Sequence, residues 1–203
     1  MSRLFNLFGL SLFAVAVSIF AINASAQDKQ PSPEDVQKMM EVWNMVKTPG
    51  PEHAKLAKLV GNWDFTSKFW MDPKQPPMEE KGSSTEKMIL GGRVLMGEAT
   101  GQMMGAPFNG FGLMGYDNFR KTYWASWSDD MFTGIIVSEG TASADGKVIT
   151  LLGKMDQPTM NVKDKAVKWV YTFADDNNFK MEGFEGVGTP HEYKSMEITY
   201  KRK

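Results

Sequence analysis

Two histidines, His53 and His191, sixteen methionines and no cysteine bound the imidazole and sulfur chemistry open to this 203-residue chain. Without cysteine there is no thiol nucleophile, zinc finger, iron–sulfur site or disulfide. Catalysis would announce itself as a nucleophile with a base, a metal triad or two converging carboxylates. None is legible: Glu98, Asp129, Asp130 and Glu139 fall at strand ends or turns, where solvation is the expected role. Gly105-Ala106-Pro107 lies in a glycine-bearing stretch but lacks the lysine and the following helix of a phosphate loop. No catalytic residue is assigned.

The methionines are dispersed. Met103-Met104 sit side by side, while Met88, Met96, Met114, Met131, Met155, Met160, Met181 and Met196 are spread along the chain. Thioethers select soft ions such as Cu(I), but copper sites gather methionine with histidine or cysteine in one loop. Adaptable packing is the expected role here, and no metal or other cofactor is expected from these residue types.

Binding by shape is the chemistry the aromatics offer. If Trp63 faces inward, alternation carries Phe65, Ser67 and Phe69 with it and sends Asp64, Thr66, Lys68 and Trp70 outward. The same test groups Tyr123, Ala125 and Trp127 on one face, and Val167, Trp169, Tyr171 and Phe173 on another. Register decides which faces are interior. An interior of aromatic and methionine side chains with a few hydroxyls suits a small apolar or lipid-like ligand, oriented at a polar end by Ser, Tyr or Arg93. The candidate ligand-binding residues are Trp63, Phe65, Ser67, Phe69, Arg93, Tyr123, Trp127, Trp169 and Tyr171. The same side chains could instead fill a small barrel as its core, which would leave a structural or interaction module.

The elements that must position these residues follow from periodicity. Ser32-Pro33-Glu34-Asp35 reads as a helix start, with Ser as N-cap and Pro in the first turn. Val36, Met39, Met40, Trp43 and Val46 follow at helical spacing, predicting a helix over 33–46 that packs outside or across one end of the domain. A short plug helix is predicted over 52–60, with Leu56, Leu59 and Val60 on one side and Gly61 to stop it. Alternation then predicts ten strands, over 62–71, 80–90, 93–102, 108–116, 121–128, 134–141, 147–155, 166–174, 178–185 and 192–202. Gly91-Gly92 and Asp145-Gly146 suit tight hairpins. The three prolines between Asp72 and Pro77 exclude a strand there. Ten hairpin-linked strands with open edges would aggregate, and closing the sheet into an up-and-down antiparallel barrel removes the hazard. The fold class is therefore all-β, with a two-sheet sandwich as the structural alternative.

The first segment reads as an address. Arg3 is followed by an apolar run from Leu7 to Ile22 and by Ala24-Ser25-Ala26, a small-x-small cleavage site. The apolar run is shorter than the roughly 20 residues that span a membrane, so a signal peptide over 1–26 and a periplasmic or extracellular destination are expected. The mature chain would carry 22 basic against 24 acidic residues. Without a basic block, nucleic acid is not an expected partner, and no membrane span is expected in the mature chain.

Leu56-Ala57-Lys58-Leu59-Val60-Gly61-Asn62-Trp63-Asp64 puts a short helix directly before Gly-x-Trp. This resembles the opening of lipocalin-like, or calycin, barrels, in which the Trp packs inside the closed end and a basic side chain, here Lys201 or Arg202, often stacks on it. The chain is more specifically similar to the DUF1579 family of bacterial exported proteins. The matching stretches include Pro49-Gly50-Pro51-Glu52-His53, Phe69-Trp70-Met71-Asp72-Pro73, Lys87-Met88-Ile89-Leu90-Gly91-Gly92-Arg93, Gly115-Tyr116-Asp117-Asn118, Val137-Ser138-Glu139-Gly140 and Met196-Glu197-Ile198-Thr199-Tyr200. The resemblance implies a lipocalin-like barrel from Pro49 to Lys203 and no activity. Haem-binding barrels of the nitrobindin type ligate iron through a histidine near the chain end, so His191 is the alternative haem ligand, and haem the alternative cofactor, for this chain.

Overall fold

A computed structural model describes residues 30–203. The expected signal peptide lies outside the described residues. The chain divides into two compact units, Met1–Val42, of which residues 30–42 are described, and Trp43–Lys203.

Helix α1 spans Pro33–Lys47. Its start is the expected capping box: Asp35 N–H donates to Ser32 Oγ at 3.2 Å, and Ser32 N–H donates to Asp35 Oδ2 at 3.0 Å. Val36, Met39, Met40 and Trp43 are exposed. Its C-terminal carbonyls are tied down, since Asn118 Nδ2 donates to Met45 O at 2.9 Å and to Thr48 O at 2.7 Å. No helix among the described residues is long and apolar enough to cross a membrane.

Helix α2, Pro51–Ala57, is followed by a tightening turn in which Lys58, Leu59 and Val60 each bond three residues back. Pro51 starts it where a missing N–H costs nothing. Leu56 and Leu59 are buried, each removal from water contributing about 1.5–3 kcal/mol.

The strands are β1 Gly61–Phe69, β2 Met78–Ile89, β3 Val94–Met103, β4 Ala106–Asp117, β5 Thr122–Asp129, β6 Ile136–Ala142, β7 Val148–Gln157, β8 Val162–Asp175, β9 Asn178–Glu185 and β10 Tyr193–Arg202. Every neighbour in sequence is a neighbour in the sheet, all pairs are antiparallel, and β1 pairs with β10 to close the barrel. The sandwich alternative is thereby excluded. Closure runs from Trp63 opposite Arg202 to Phe69 opposite Met196. The strand bounds lie close to those expected from alternation; β8 begins four residues earlier, because Val162 pairs with Gln157 beyond a bulge that places three steps of β8 against two of β7.

The main hydrophobic cluster gathers at one end. Leu56 and Leu59 meet Trp63, Leu95, Met114, Tyr123, Ile149 and Phe179 there. This end is closed by α2; the other carries the β1–β2, β3–β4, β5–β6, β7–β8 and β9–β10 connections and forms the mouth. Ser67, Ile136, Val167 and Glu185 are buried in the half nearer the mouth.

Candidate functional site

Register settles which faces look inward. Trp63, Phe65, Ser67 and Phe69 stand opposite Arg202, Tyr200, Ile198 and Met196 on one side and opposite Ser84, Gly82, Glu80 and Met78 on the other. Trp63 is only 1% exposed and Ser67 3%, so this is the interior face. Carried around the barrel, the same ladder turns Tyr123 and Trp127 of β5 inward, and Trp169 and Tyr171 of β8. The candidate aromatics and Ser67 thus share one interior. So do Met88, Met103, Met114, Met155, Met181 and Met196, whereas Met96 is outward and Met104, Met131 and Met160 lie in turns.

Arg93 does not join them. It follows a turn in which Leu90, Gly91 and Gly92 all have positive φ, 50°, 62° and 84°. That turn lifts it out of the ladder before β3 begins. Its guanidinium donates to Leu90 O at 2.9 Å and to the carbonyl of Lys47, a structural tie at the closed end.

Glycines let the large interior side chains lie against the wall. A Cβ at Gly82 would stand 2.3 Å from Phe65 Cζ, one at Gly110 2.2 Å from Trp127 Cζ2, and one at Gly183 2.6 Å from Trp169 Cζ3. Each ring occupies the volume of a missing side chain instead of the barrel axis. The carboxylate of Glu86 does the same over Gly97, where a Cβ would meet Oε2 at 2.4 Å.

The closed end is a stack. Phe179 and Tyr200 are parallel with centroids 4.1 Å apart, Trp63 meets Phe179 edge-on at 4.8 Å, and Phe65 leans on Tyr200 at 5.7 Å. Tyr123 donates to the carboxylate of Glu52 on α2, which also holds Lys55. Burial and that carboxylate push the Tyr123 phenol far above its ordinary range.

The mouth carries a satisfied polar network. Glu185 is ion-paired with Lys165 and accepts from Gln157 at 3.2 Å and from Tyr193 at 3.0 Å. Burial, with Glu185 beside it, pushes Tyr193 up to about 12. On the next wall, Trp127 Nε1–H donates to Asp129 at 2.8 Å.

Deeper in, the polar groups are not satisfied. The buried Ser84 hydroxyl has no hydrogen-bond partner. Among the described residues the Glu86 carboxylate and the Tyr171 and Tyr200 hydroxyls form no hydrogen bond within 3.5 Å either. Burial pushes the Glu86 carboxyl up to about 7, with the nearby Ser84 hydroxyl opposing the shift. Burial also drives Tyr171 and Tyr200 far above the usual phenol range, and the Glu86 charge adds to both. Sequence reasoning did not single out Glu86, Ser84 or Tyr200. One signal was present: Lys81, Ser83, Thr85 and Lys87 occupy one face of the alternation, which leaves Gly82, Ser84, Glu86 and Met88 on the other.

Tyr171 and Tyr200 lie deep in the barrel, yet neither is fully covered by protein atoms, and Phe65, Glu86 and Trp169 share that state, with Trp127 partly uncovered nearer the mouth. Deep, inward and still partly uncovered, they border a hollow above the packed end. By contrast, a groove of about 680 Å³ over the outer faces of β2 to β5 is lined largely by short polar and acidic side chains, among them Thr85, Glu98, Thr100, Asn109 and Asp130.

The histidines do not fit a haem held inside. His191 is exposed in the β9–β10 turn, its backbone N–H donating to Thr189 Oγ1 at 3.1 Å. His53 is buried, but its Nδ1 accepts the Gly50 N–H at 3.1 Å and its ring meets Tyr116 edge-on. Burial holds its basicity below the usual imidazole range. No cluster of three or more histidine, aspartate or glutamate side chains suited to a metal occurs among the described residues.

Comparison with known proteins agrees with the architecture. The family described as "Protein of unknown function (DUF1579)" matches residues 48–202. The crystal structure of Rv2717c from M. tuberculosis is similar at a TM-score of 0.55 and 19% identity, covering 77% of this chain and 99% of that one. At that identity the likeness shows the fold alone. A redesigned β-barrel is similar at a TM-score of 0.39 and 15% identity, covering 73% of this chain and 95% of that one. No curated protein matches the chain.

Proposed function

The chain belongs to the DUF1579 family, and from the interior of its barrel we propose that it binds one small, largely apolar molecule there. The observation that carries this reading is the partly uncovered, deep aromatic surface of Phe65, Trp169, Tyr171 and Tyr200, continued towards the mouth by Trp127. A barrel whose purpose was only structural would bring those rings together across the axis, since unfilled volume costs about 24 cal/mol per Å³. Here glycines draw them back against the wall instead. Aromatic and methionine surface gives affinity by contact area and adapts to shape.

The N-terminal run from Leu7 to Ile22 with Ala24-Ser25-Ala26 supports delivery of the barrel to the periplasm or the medium. An exported carrier or scavenger of a poorly soluble compound fits both features. The test is titration with N-phenyl-1-naphthylamine, a neutral apolar fluorophore, read by its emission and by quenching of interior tryptophan. Saturation at one probe per barrel, lost when Gly183→Leu fills the wall beside Trp169, supports the reading. A linear, unsaturable response removes it.

A further inference from the structure

We propose that the molecule held in the barrel carries a basic nitrogen, and that its ammonium group is seated against Glu86 with the hydroxyls of Ser84, Tyr171 and Tyr200 around it. This rests on the reading of the interior as a binding site and names the class of ligand.

The interior holds a carboxylate with unmatched charge and hydroxyls with unmatched hydrogen bonds. Of the inward carboxylates among the described residues, Glu185 has Lys165, Gln157 and Tyr193, and Asp129 has the Trp127 indole. Glu80 lies nearer the mouth, where Ser67 donates to its backbone carbonyl at 3.3 Å. Glu86 lies deeper, opposite Gly61 on β1 and Gly97 on β3. It faces Tyr171 of β8 and Tyr200 of β10, and β1 and β3 bring no titratable side chain to the interior. The inward cation at that end is Arg202 of β10, whose guanidinium is held over Trp63 and by the carbonyls of Lys58, Val60 and Asp176.

A buried carboxylate without a cation is costly, and proteins meet the cost with a partner or by protonation. Glu86 is poised between the two, its carboxyl raised to about 7. An ammonium supplies what the site lacks. It carries three donors and a positive charge. One donor meets the carboxylate, and the oxygens of Ser84, Tyr171 and Tyr200 can accept the others, Ser84 being 5% exposed and unpartnered. An anionic head group would meet a carboxylate, and a neutral one would leave that carboxylate's demand unmet.

Three isosteric probes decide the matter by calorimetry: 4-phenylbutylamine, 4-phenyl-1-butanol and 4-phenylbutanoate. At about pH 8, where Glu86 is mostly ionised, the amine binds roughly tenfold to 100-fold tighter than the alcohol. That margin shrinks as Glu86 protonates towards about pH 5.5, a test needing no variant. In Glu86→Gln the amine loses its advantage over the alcohol. If alcohol and amine bind equally to the unaltered protein at both pH values, the amine proposal falls and the binding barrel stands. Tightest binding of the butanoate likewise overturns it. If none of the three binds, the amine proposal falls, and the N-phenyl-1-naphthylamine titration decides whether the binding reading falls with it.

Discussion

The guanidinium of Arg202, the penultimate residue, lies 4.1 Å above the ring of Trp63, near the start of the first strand. Its nitrogens donate to Val60 O at 2.6 Å, Lys58 O at 2.7 Å and Asp176 O at 2.8 Å, while Trp63 Nε1–H donates to Leu59 O at 2.8 Å. One side chain therefore joins the last strand to the first, satisfies carbonyls at the end of α2, and reaches the β8–β9 turn.

Replacing it should be expensive. Arg202→Ala removes a partly exposed cation–π contact and leaves three carbonyls to find water, a loss of about 1–3 kcal/mol. Arg202→Lys restores the charge but not the planar fork, and should recover less than half of that. Urea unfolding of the two variants checks both statements; equal stability of Arg202→Ala and the unaltered protein would contradict them.

Gly110→Ala tests the flattened rings. The new methyl would stand 2.2 Å from Trp127 Cζ2, so the indole must swing inward and abandon Asp129. Overpacking of this kind costs about 1–3 kcal/mol. Near-ultraviolet circular dichroism should change with the loss of stability, and probe capacity should fall because the displaced ring enters the hollow. A variant with unchanged dichroism and unchanged probe binding would show that Trp127 does not rest on this wall.

Glu86 makes the ligand-free protein's stability depend on pH in a direction opposite to an ordinary salt-bridged acid. Its folded pKa of about 7 lies above its ordinary 4.5, so the folded state holds the proton more tightly than the unfolded chain. The stabilisation is complete below the unfolded value and is lost as pH rises through the folded one. Glu86→Gln should match the unaltered protein at about pH 4 and exceed it by up to about 3 kcal/mol at about pH 8. Parallel melting temperatures across that range would mean the carboxyl is not buried.

Haem should bind no more strongly than to an unrelated protein, because neither histidine offers a nitrogen to the barrel interior. Difference spectra on adding haem should show no saturable Soret band. A band that appears and is then lost in His191→Ala would contradict this placement.

Much of the architecture was legible because β-barrels write their rules locally. The alternation of Trp63, Phe65, Ser67 and Phe69 against Asp64, Thr66 and Lys68, with turn residues such as Asp145-Gly146 between strands, gives the strands and their faces without any long-range information. The stacking of a basic residue near the chain end on Trp63 was expected from the resemblance to lipocalin-like barrels, with Lys201 and Arg202 both open. Arg93 was misplaced because the positive φ values from Leu90 to Gly92 belong to the turn's three-dimensional form. Glu86 was overlooked for a different reason. Beside Lys87 and close to Glu79, Glu80 and Lys81 it looks like part of a solvated stretch. Only the pairing of Gly61 with Glu86 and of Glu86 with Gly97 sets it inside.

That the barrel holds a small molecule is tested most directly by native mass spectrometry of the protein taken from the cells that make it. The expected result is excess mass equal to one small molecule per chain, lost on denaturation, and carrying a nitrogen in its formula. A native mass equal to that of the denatured polypeptide, with no uptake of the neutral fluorophore, would contradict it.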